Sequence, residues 1–472
     1  MNNVLIIAPH GDDELNLLGT VAYQFLKANW EIHLLLVTNG DYLPKVTEKR
    51  HHETEAVAKK MGISKVTYLG YGDNPAFSGT HTYHTEGREI CTSPAGHTHT
   101  YGFEDAPDYA CQNHGFHRPY CRNSVKEDIK ECILAEQADM ILCVDLDEHA
   151  DHRMTSLLFD EIMVELVRTT AYRPLVLKKY AYAGVWFGPE DYYANPMAET
   201  LLTGEEYFPY SPSQEVRVRV PRKYYPVFYK KSPIYKLCEL YQSQYVNEHF
   251  TRMVNADALY FYRDYNNLAL SAQVQVSSGE GFLLNDGKLA DFSPINREKS
   301  AMISTPELYT WFPSAEDPSP TALFRFPRAC TVKEVHLHLP YQESLRPKRV
   351  KLIAGVSVFE AELSPKEGLR PVITFESPAE NVQELHLQIL DGTPGSCGIR
   401  EVEIFDHHST FPWKDLPLSP YKPKSLLRYR PGSTLVPKLS RRLNLVKQFV
   451  QYDLRGNGLN YYLKKFIRKF KG

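Results

Sequence analysis

The sequence predicts an α/β fold over residues 1–265, a parallel sheet with helices on both faces. Three observations predict it. Short apolar runs recur without polar alternation, as in strands buried on both sides. Segments with helical apolar spacing separate those runs, and the connections between them are short. At 472 residues the chain exceeds one ordinary core, so two or three domains are expected.

Residues 3–9 read as the first buried strand. Residues 12–29 follow as a helix, with Leu15, Leu17, Leu18, Val21, Ala22 and Phe25 at helical spacing. "EIHLLLVTNGD" (31–41) is a second strand closed by a turn, 46–62 a helix ending at Gly62, and "KVTYLGYGD" (65–73) a third strand. An irregular insert, 74–123, precedes a helix over 124–138 and a strand over 139–147. A helix over 151–169 and a strand over 174–184 complete a Rossmann-like βα alternation. In such sheets a site lies beyond the carboxyl ends of the strands. Pro- and Tyr-rich segments follow from about 186, and a polar helix over 235–255 closes the first domain near 265. Residues 270–406 hold short alternating runs split by Pro, Gly and Asp turns, which predicts an antiparallel β-sandwich. Residues 407–472 read as a basic, Pro-broken extension ending in an amphipathic helix.

Composition is that of a globular protein, 43% hydrophobic and 24% charged. The net charge of −3 hides an asymmetry. From Lys414 onward 15 Lys and Arg face two acids, a balance of +13, against −16 upstream. In "GLNYYLKKFIRKFKG" a stripe of Leu, Tyr, Phe and Ile is backed by Lys464, Lys465, Arg468, Lys469 and Lys471. That pattern predicts an anionic membrane surface as partner, with a helix docked on the sandwich as the alternative. No base-reading module accompanies the charge, so nucleic acid is not an expected partner. The eight cysteines form no CxxC pair. With no signal-like N-terminus and no apolar run of spanning length, they predict a cytoplasmic protein, peripheral at most on the inner face of a membrane.

The first strand ends in His10, Asp12, Asp13 and Glu14, and the strand 139–147 ends in "DEHADH", with His149 and His152 three apart. Parallel strands put both tips on one rim. Two histidines and a carboxylate, with an open position for water, are the ligand set of a catalytic zinc site. Asp12 could take a proton from that water, and a spare histidine could stabilise an oxyanion or protonate a leaving amine. Glu14 reads as a structural acid in a first helical turn.

"APHGDDE" and "HADH" resemble the (A/P)HPDDE and HxDH signatures of the zinc-dependent PIG-L/LmbE-type N-acetylglucosaminyl deacetylases. "RHHETEAVAKKMG" and "LGYGD" are similar to further segments of that family, and the resemblance covers roughly residues 1–265. It implies that His10, Asp13 and His152 ligate Zn2+ and that Asp12 is the general base. It implies His149 as general acid or oxyanion stabiliser, Asp151 as the group orienting a histidine, and Arg50 and Asp73 as residues facing the sugar. One departure is Gly11, where the family carries Pro; it alters the turn and removes no functional group.

The insert holds six histidines (81, 84, 97, 99, 114, 117) and three cysteines, yet no zinc-module spacing, and reads as a loop wall around a polar substrate. Residues 270–406 resemble a discoidin-like (F5/8 type C) β-sandwich, with "CGIREVEIF" as the closing strand; Trp311 and Phe312 are candidates for stacking on a sugar. The expected function is zinc-dependent removal of the acetyl group from an N-acetylated amino sugar, lipid-linked if the tail meets a membrane. The alternatives are another amide hydrolase, such as a thiol–sugar conjugate amidase, and an inactive glycan-binding scaffold.

Overall fold

A computed structural model describes residues 2–73, 90–146, 149–181, 186–187, 200–202, 214–225, 229–244, 246, 253–289, 292–293, 303–304, 309–363, 369–392 and 395–422. Strand β1 (Asn3–Ala8) leads through a five-residue π turn, Leu15–Gly19, and helix α1 (Ala22–Lys27) to β2 (Glu31–Thr38). Helix α2 (Thr47–Met61) and β3 (Lys65–Tyr71) follow. After the insert with its short helix α3 (Tyr109–His114) come α4 (Arg122–Glu136), β4 (Met140–Val144), α5 (Ala150–Thr169) and β5 (Leu175–Lys179). Two-residue strands β6 (Trp186–Phe187) and β7 (Leu201–Leu202) pair with each other. Strand β8 (Gln214–Arg219), helix α6 (Pro233–Cys238) and strand β9 (Asp257–Arg263) end this half.

The first sheet has the order β3-β2-β1-β4-β5-β9-β8. Its first five strands are parallel, as the apolar runs predict, whereas β9 and β8 add antiparallel to β5, making the sheet mixed. With this strand order the right-handed crossover rule puts α1 and α2 on one face and α4 and α5, which pack together, on the other. Strand order reverses between β1 and β4, so a crevice opens at their carboxyl ends, where both charged motifs lie.

Two expected helices are interrupted among the described residues. The helix predicted over 12–29 breaks at Thr20–Val21, after Gly19, whose Cα hydrogen faces Ile234 too closely for a larger side chain to fit without adjustment. Of the helix predicted over 235–255, the described residues show α6 and then turns over 239–244. There the Glu53 carboxylate, not a helical carbonyl, accepts the backbone N–H groups of Gln242 and Ser243 at 3.1 Å, which ends the helix by tertiary contact.

The second core belongs to an antiparallel sheet, β10 (Gln273–Val276), β13 (Thr321–His338), β14 (Arg349–Ala354), β15 (Ser357–Glu362), β16 (Val372–Asp391) and β17 (Glu401–Phe405), beside the two-residue pair β11 (Phe292–Ser293) and β12 (Ile303–Ser304). Strands β13 and β16 shift register three times between Arg325 and Glu334, so each long strand bends. The first half of β13 pairs β10 and the second half β17, and both halves close on one core through Phe324, Val335, Leu337, Val402 and Ile404. Trp311 is fully buried in that core, donating Nε1–H to the Ser278 carbonyl at 2.7 Å, which removes it as a sugar-stacking surface. Beyond β17 the chain returns to the first core with Phe411 and Leu418, and the backbone of 419–421 bonds to Arg217 and Arg219 along β8.

All eight cysteines are free thiols. No helix among the described residues is long and apolar enough to cross a membrane. The segment 459–470, and with it the expected membrane contact, lies outside the described residues, as do His81 and His84 of the insert.

Candidate active site

Both motifs converge in the crevice between β1 and β4. His10 follows β1 directly, and Asp13 opens the turn behind it. His149 caps the N-terminus of α5, its Nδ1 accepting the Asp151 N–H at 3.3 Å, and Asp151 and His152 occupy the first turn. Asp13 Oδ2 lies 3.2 Å from His10 Nδ1 and 3.2 Å from His152 Nε2, so one carboxylate oxygen faces two imidazoles from distant segments. Asp13 Oδ1 is buried and makes no hydrogen bond among the described residues. Nitrogens of His10, His149 and His152 lie within 4.8 Å of one another, as do ligand atoms of His10, Asp73 and Asp151. The described residues therefore include groups that could hold a metal ion.

Sequence reasoning named eight residues, and the fold brings all eight together. Asp151 Oδ2 lies 3.1 Å from His10 Nε2 and 3.9 Å from His149 Nδ1. Asp73, at the tip of β3, lies 3.9 Å from His10 Nε2 and 3.9 Å from Arg50 Nη1. Arg50 reaches in from α2, with Nη2 3.6 Å from Asp12 Oδ1, and donates to the carbonyls of Gly40 and Gly11. Gly40 has φ +66°, and a Cβ there would stand 2.6 Å from the Arg50 side chain. That glycine is what lets the guanidinium reach the site.

The local fields separate the two aspartates. Burial, and then the charge of Asp13, pushes the Asp12 carboxyl up to about 7, against the pull of Arg50. Burial acts on Asp13 in the same sense, yet His152 and His10 outweigh it and hold Asp13 well below the usual carboxylate range. Burial disfavours a charged His10, but Asp73, Asp13 and Asp151 together raise its pKa well above the ordinary value. His149 moves the other way, depressed by burial and by the charges of His10 and His152. Two neighbouring acids with opposed shifts are what acid–base chemistry needs.

Several contributing residues were not found from sequence. Asp41 accepts the Asp73 N–H at 2.7 Å and is itself held by Ser93 Oγ at 2.9 Å and Tyr101 OH at 3.2 Å, both from the insert. Its position at the tip of β2, in "TNGD", was the available signal. Thr38 donates to Asp73 Oδ1 at 2.6 Å. Tyr241 and Gln244, which touch the His10–Glu14 loop, carried no signal at all. The described part of the insert packs on β3 through Tyr101 N–H and Tyr120 OH, both donated to the Gly70 carbonyl.

No curated protein matches the chain. Among solved structures, an N,N'-diacetylchitobiose deacetylase from Pyrococcus horikoshii is 17% identical, with a TM-score of 0.26, over 38% of this chain. The match spans only 60% of that enzyme's length. A 4-carboxy-2-hydroxymuconate hydratase from Pseudomonas putida is 12% identical, with a TM-score of 0.32, over 56% of this chain and 95% of its own. An F5/8 type C domain from Bacteroides fragilis is 13% identical, with a TM-score of 0.22, over 28% of this chain and 90% of its own. Residues 5–163, the segment that builds the cluster, match the family model PIG-L, GlcNAc-PI de-N-acetylase.

Proposed function

We propose that the chain is a zinc-dependent hydrolase that removes the acetyl group from an N-acetylated amino sugar. The observation that carries this reading is Asp13 Oδ2 standing 3.2 Å from a nitrogen of both His10 and His152, with Asp12 beside it. The donor set fits zinc, being two imidazoles and one carboxylate, and Asp13 Oδ1 is a buried oxygen lacking a hydrogen bond among the described residues. His10, Asp13 and His152 would hold the ion. His149 is the more exposed imidazole, and because its Nδ1 is engaged in capping α5, its Nε2–H is left to donate at the rim. Zinc at such a site supplies Lewis acidity toward a carbonyl and makes water more acidic.

The remaining work belongs to the chain's own groups. Asp12, beside the ligand Asp13 and held by Arg50, accepts the proton of the attacking water. Arg50 holds Asp12 and Asp73 in register, and Asp73 and Arg50 face sugar hydroxyls. Asp12 then returns that proton to the leaving amine, while His149, whose Nδ1 accepts the Asp151 N–H, donates Nε2–H to the oxyanion, and Asp151 orients His10 and His149. The lipid-linked form of the substrate is supported by the basic amphipathic sequence at 459–470.

The test is acetate release across a panel of N-acetyl sugars, with zinc content measured in parallel. Asp12→Ala is expected to keep its zinc and lose turnover by about 100-fold or more. His152→Ala is expected to lose the metal. A fully active Asp12→Ala protein would refute the base assignment, and release of an acid other than acetate would redirect the reading to another amide.

A further inference from the structure

The loop that carries Asp12 is held in a conformation its own sequence disfavours. Asp12 has φ +126°, in the region L side chains rarely adopt. Such a residue is strained and persists only where its surroundings over-determine it. Here the surroundings grip one peptide group, between Gly11 and Asp12, from both sides. Its N–H donates to Glu14 Oε2 at 2.8 Å. Its carbonyl accepts from Gln244 Nε2 at 3.1 Å and from Arg50 Nη2 at 3.3 Å. Glu14 is held in turn, because Tyr241 OH donates to Glu14 Oε1 at 2.5 Å, and both side chains are fully buried. Tyr241 and Gln244 are themselves fixed. The Glu53 carboxylate accepts the N–H groups of Gln242 and Ser243 between them, and the Ser243 hydroxyl at 2.5 Å.

We propose that Tyr241–Gln244, beyond the family-matched residues 5–163, is a positioning clamp that sets the orientation of Asp12 through the Gly11–Asp12 peptide. This inference rests on the reading of Asp12 as the general base. Neither Tyr241 nor Gln244 contacts the His10, Asp13 and His152 cluster in any described hydrogen bond, so both are positioning residues. Glu14 is the link between clamp and loop, and its burial follows from that role. Rotation of one peptide plane by a lost hydrogen bond swings the carboxylate while leaving the other side chains in place.

The experiment compares the full chain with Tyr241→Phe, Gln244→Ala and the double variant. The readouts are kcat and KM for acetate release, zinc stoichiometry, thermal unfolding and a crystal structure of the double variant. The double variant is expected to fold and to bind zinc like the wild type, with kcat lowered about 10- to 100-fold. Its KM should stay within about twofold of the wild type, as for a group acting only on the reacting geometry. Glu14→Gln, whose amide oxygen still accepts the Asp12 N–H, is expected to recover most of the turnover lost in Glu14→Ala. In the crystal structure Asp12 is expected to relax to negative φ. A folded double variant with wild-type kcat, or one whose Asp12 stays near +126°, overturns the clamp. If the wild type releases acetate from no sugar, the deacetylase reading fails by itself, and the Asp12 φ still decides the clamp.

Discussion

Gly11 and Thr54 form a pair in which one residue dictates the other. A Cβ at position 11 would stand 2.0 Å from Thr54 Oγ1 and 3.1 Å from Thr54 Cβ. Thr54 cannot simply swing away, because its hydroxyl donates to the Arg50 carbonyl at 3.0 Å along α2. The proline that the resembling family carries at this position therefore has no room here. Gly11→Ala is expected to destabilise the protein by about 1–3 kcal/mol, the usual range for overpacking. Adding Thr54→Ala removes the closest atom and is expected to restore part of that loss in urea unfolding. Strictly additive losses would show that the two side chains do not compete for the same space. At this scale the site was legible where chemistry marks a residue. His10, Asp13, His149 and His152 stand out because imidazoles and carboxylates at strand tips have no packing use. Asp41 carried the same mark at the tip of β2 and was passed over, whereas Tyr241 and Gln244 do not stand out, because their roles arise from contact; Tyr241 meets Glu14 across 227 positions of sequence.

Among elements, the apolar strands were the most legible, since β1 and β4 are near-continuous apolar runs buried in a parallel sheet, and β2 and β5 each carry such a run beside polar residues. Strand β8 was overlooked although "VRVRV" alternates with period two, burying Val216, Val218 and Val220. Its antiparallel partner β9 is buried throughout. The helices failed where tertiary contacts overrule local pattern, at Gly19 against Ile234 and at Gln242 and Ser243 on Glu53. One junction between elements makes a pH prediction. His407, just past β17, lies 3.0 Å from Asp264 at the end of β9 and 2.8 Å from Asp406. The hydrogen bond to Asp264 is the main cause that raises His407 from 6.5 to about 9, with burial opposing. The folded state thus binds a proton that the unfolded state releases earlier. The stability from this contact is complete below pH 6.5 and is lost as pH rises from 6.5 through 9. His407→Gln is expected to flatten the decline in Tm over that window, and superimposable curves for the two proteins would exclude the contribution.

Across the whole molecule, α5 serves both cores. Its first turn carries Asp151 and His152, while Arg168 near its other end donates to the carbonyls of Leu270 at 2.7 Å and Asn285 at 2.9 Å. Glu161 on the same helix pairs with Lys288 at 3.4 Å. The path of the chain matters as much as this contact. After building the second sheet it comes back, inserts Phe411 and Leu418 into the first core, and lays residues 419–421 along the outer side of β8. Over the described residues the polypeptide runs A–B–A in topological terms, and the second body is spliced into the first. A cut after residue 265 would leave β8 with a bare row of amides and carbonyls and two apolar sockets unfilled, the conditions under which sheets join edge to edge. The excised 1–265 fragment is therefore expected to elute as oligomers in size-exclusion chromatography and to melt below the intact chain. If it runs as a monomer with undiminished Tm, the returning strand is ornament and not a seam.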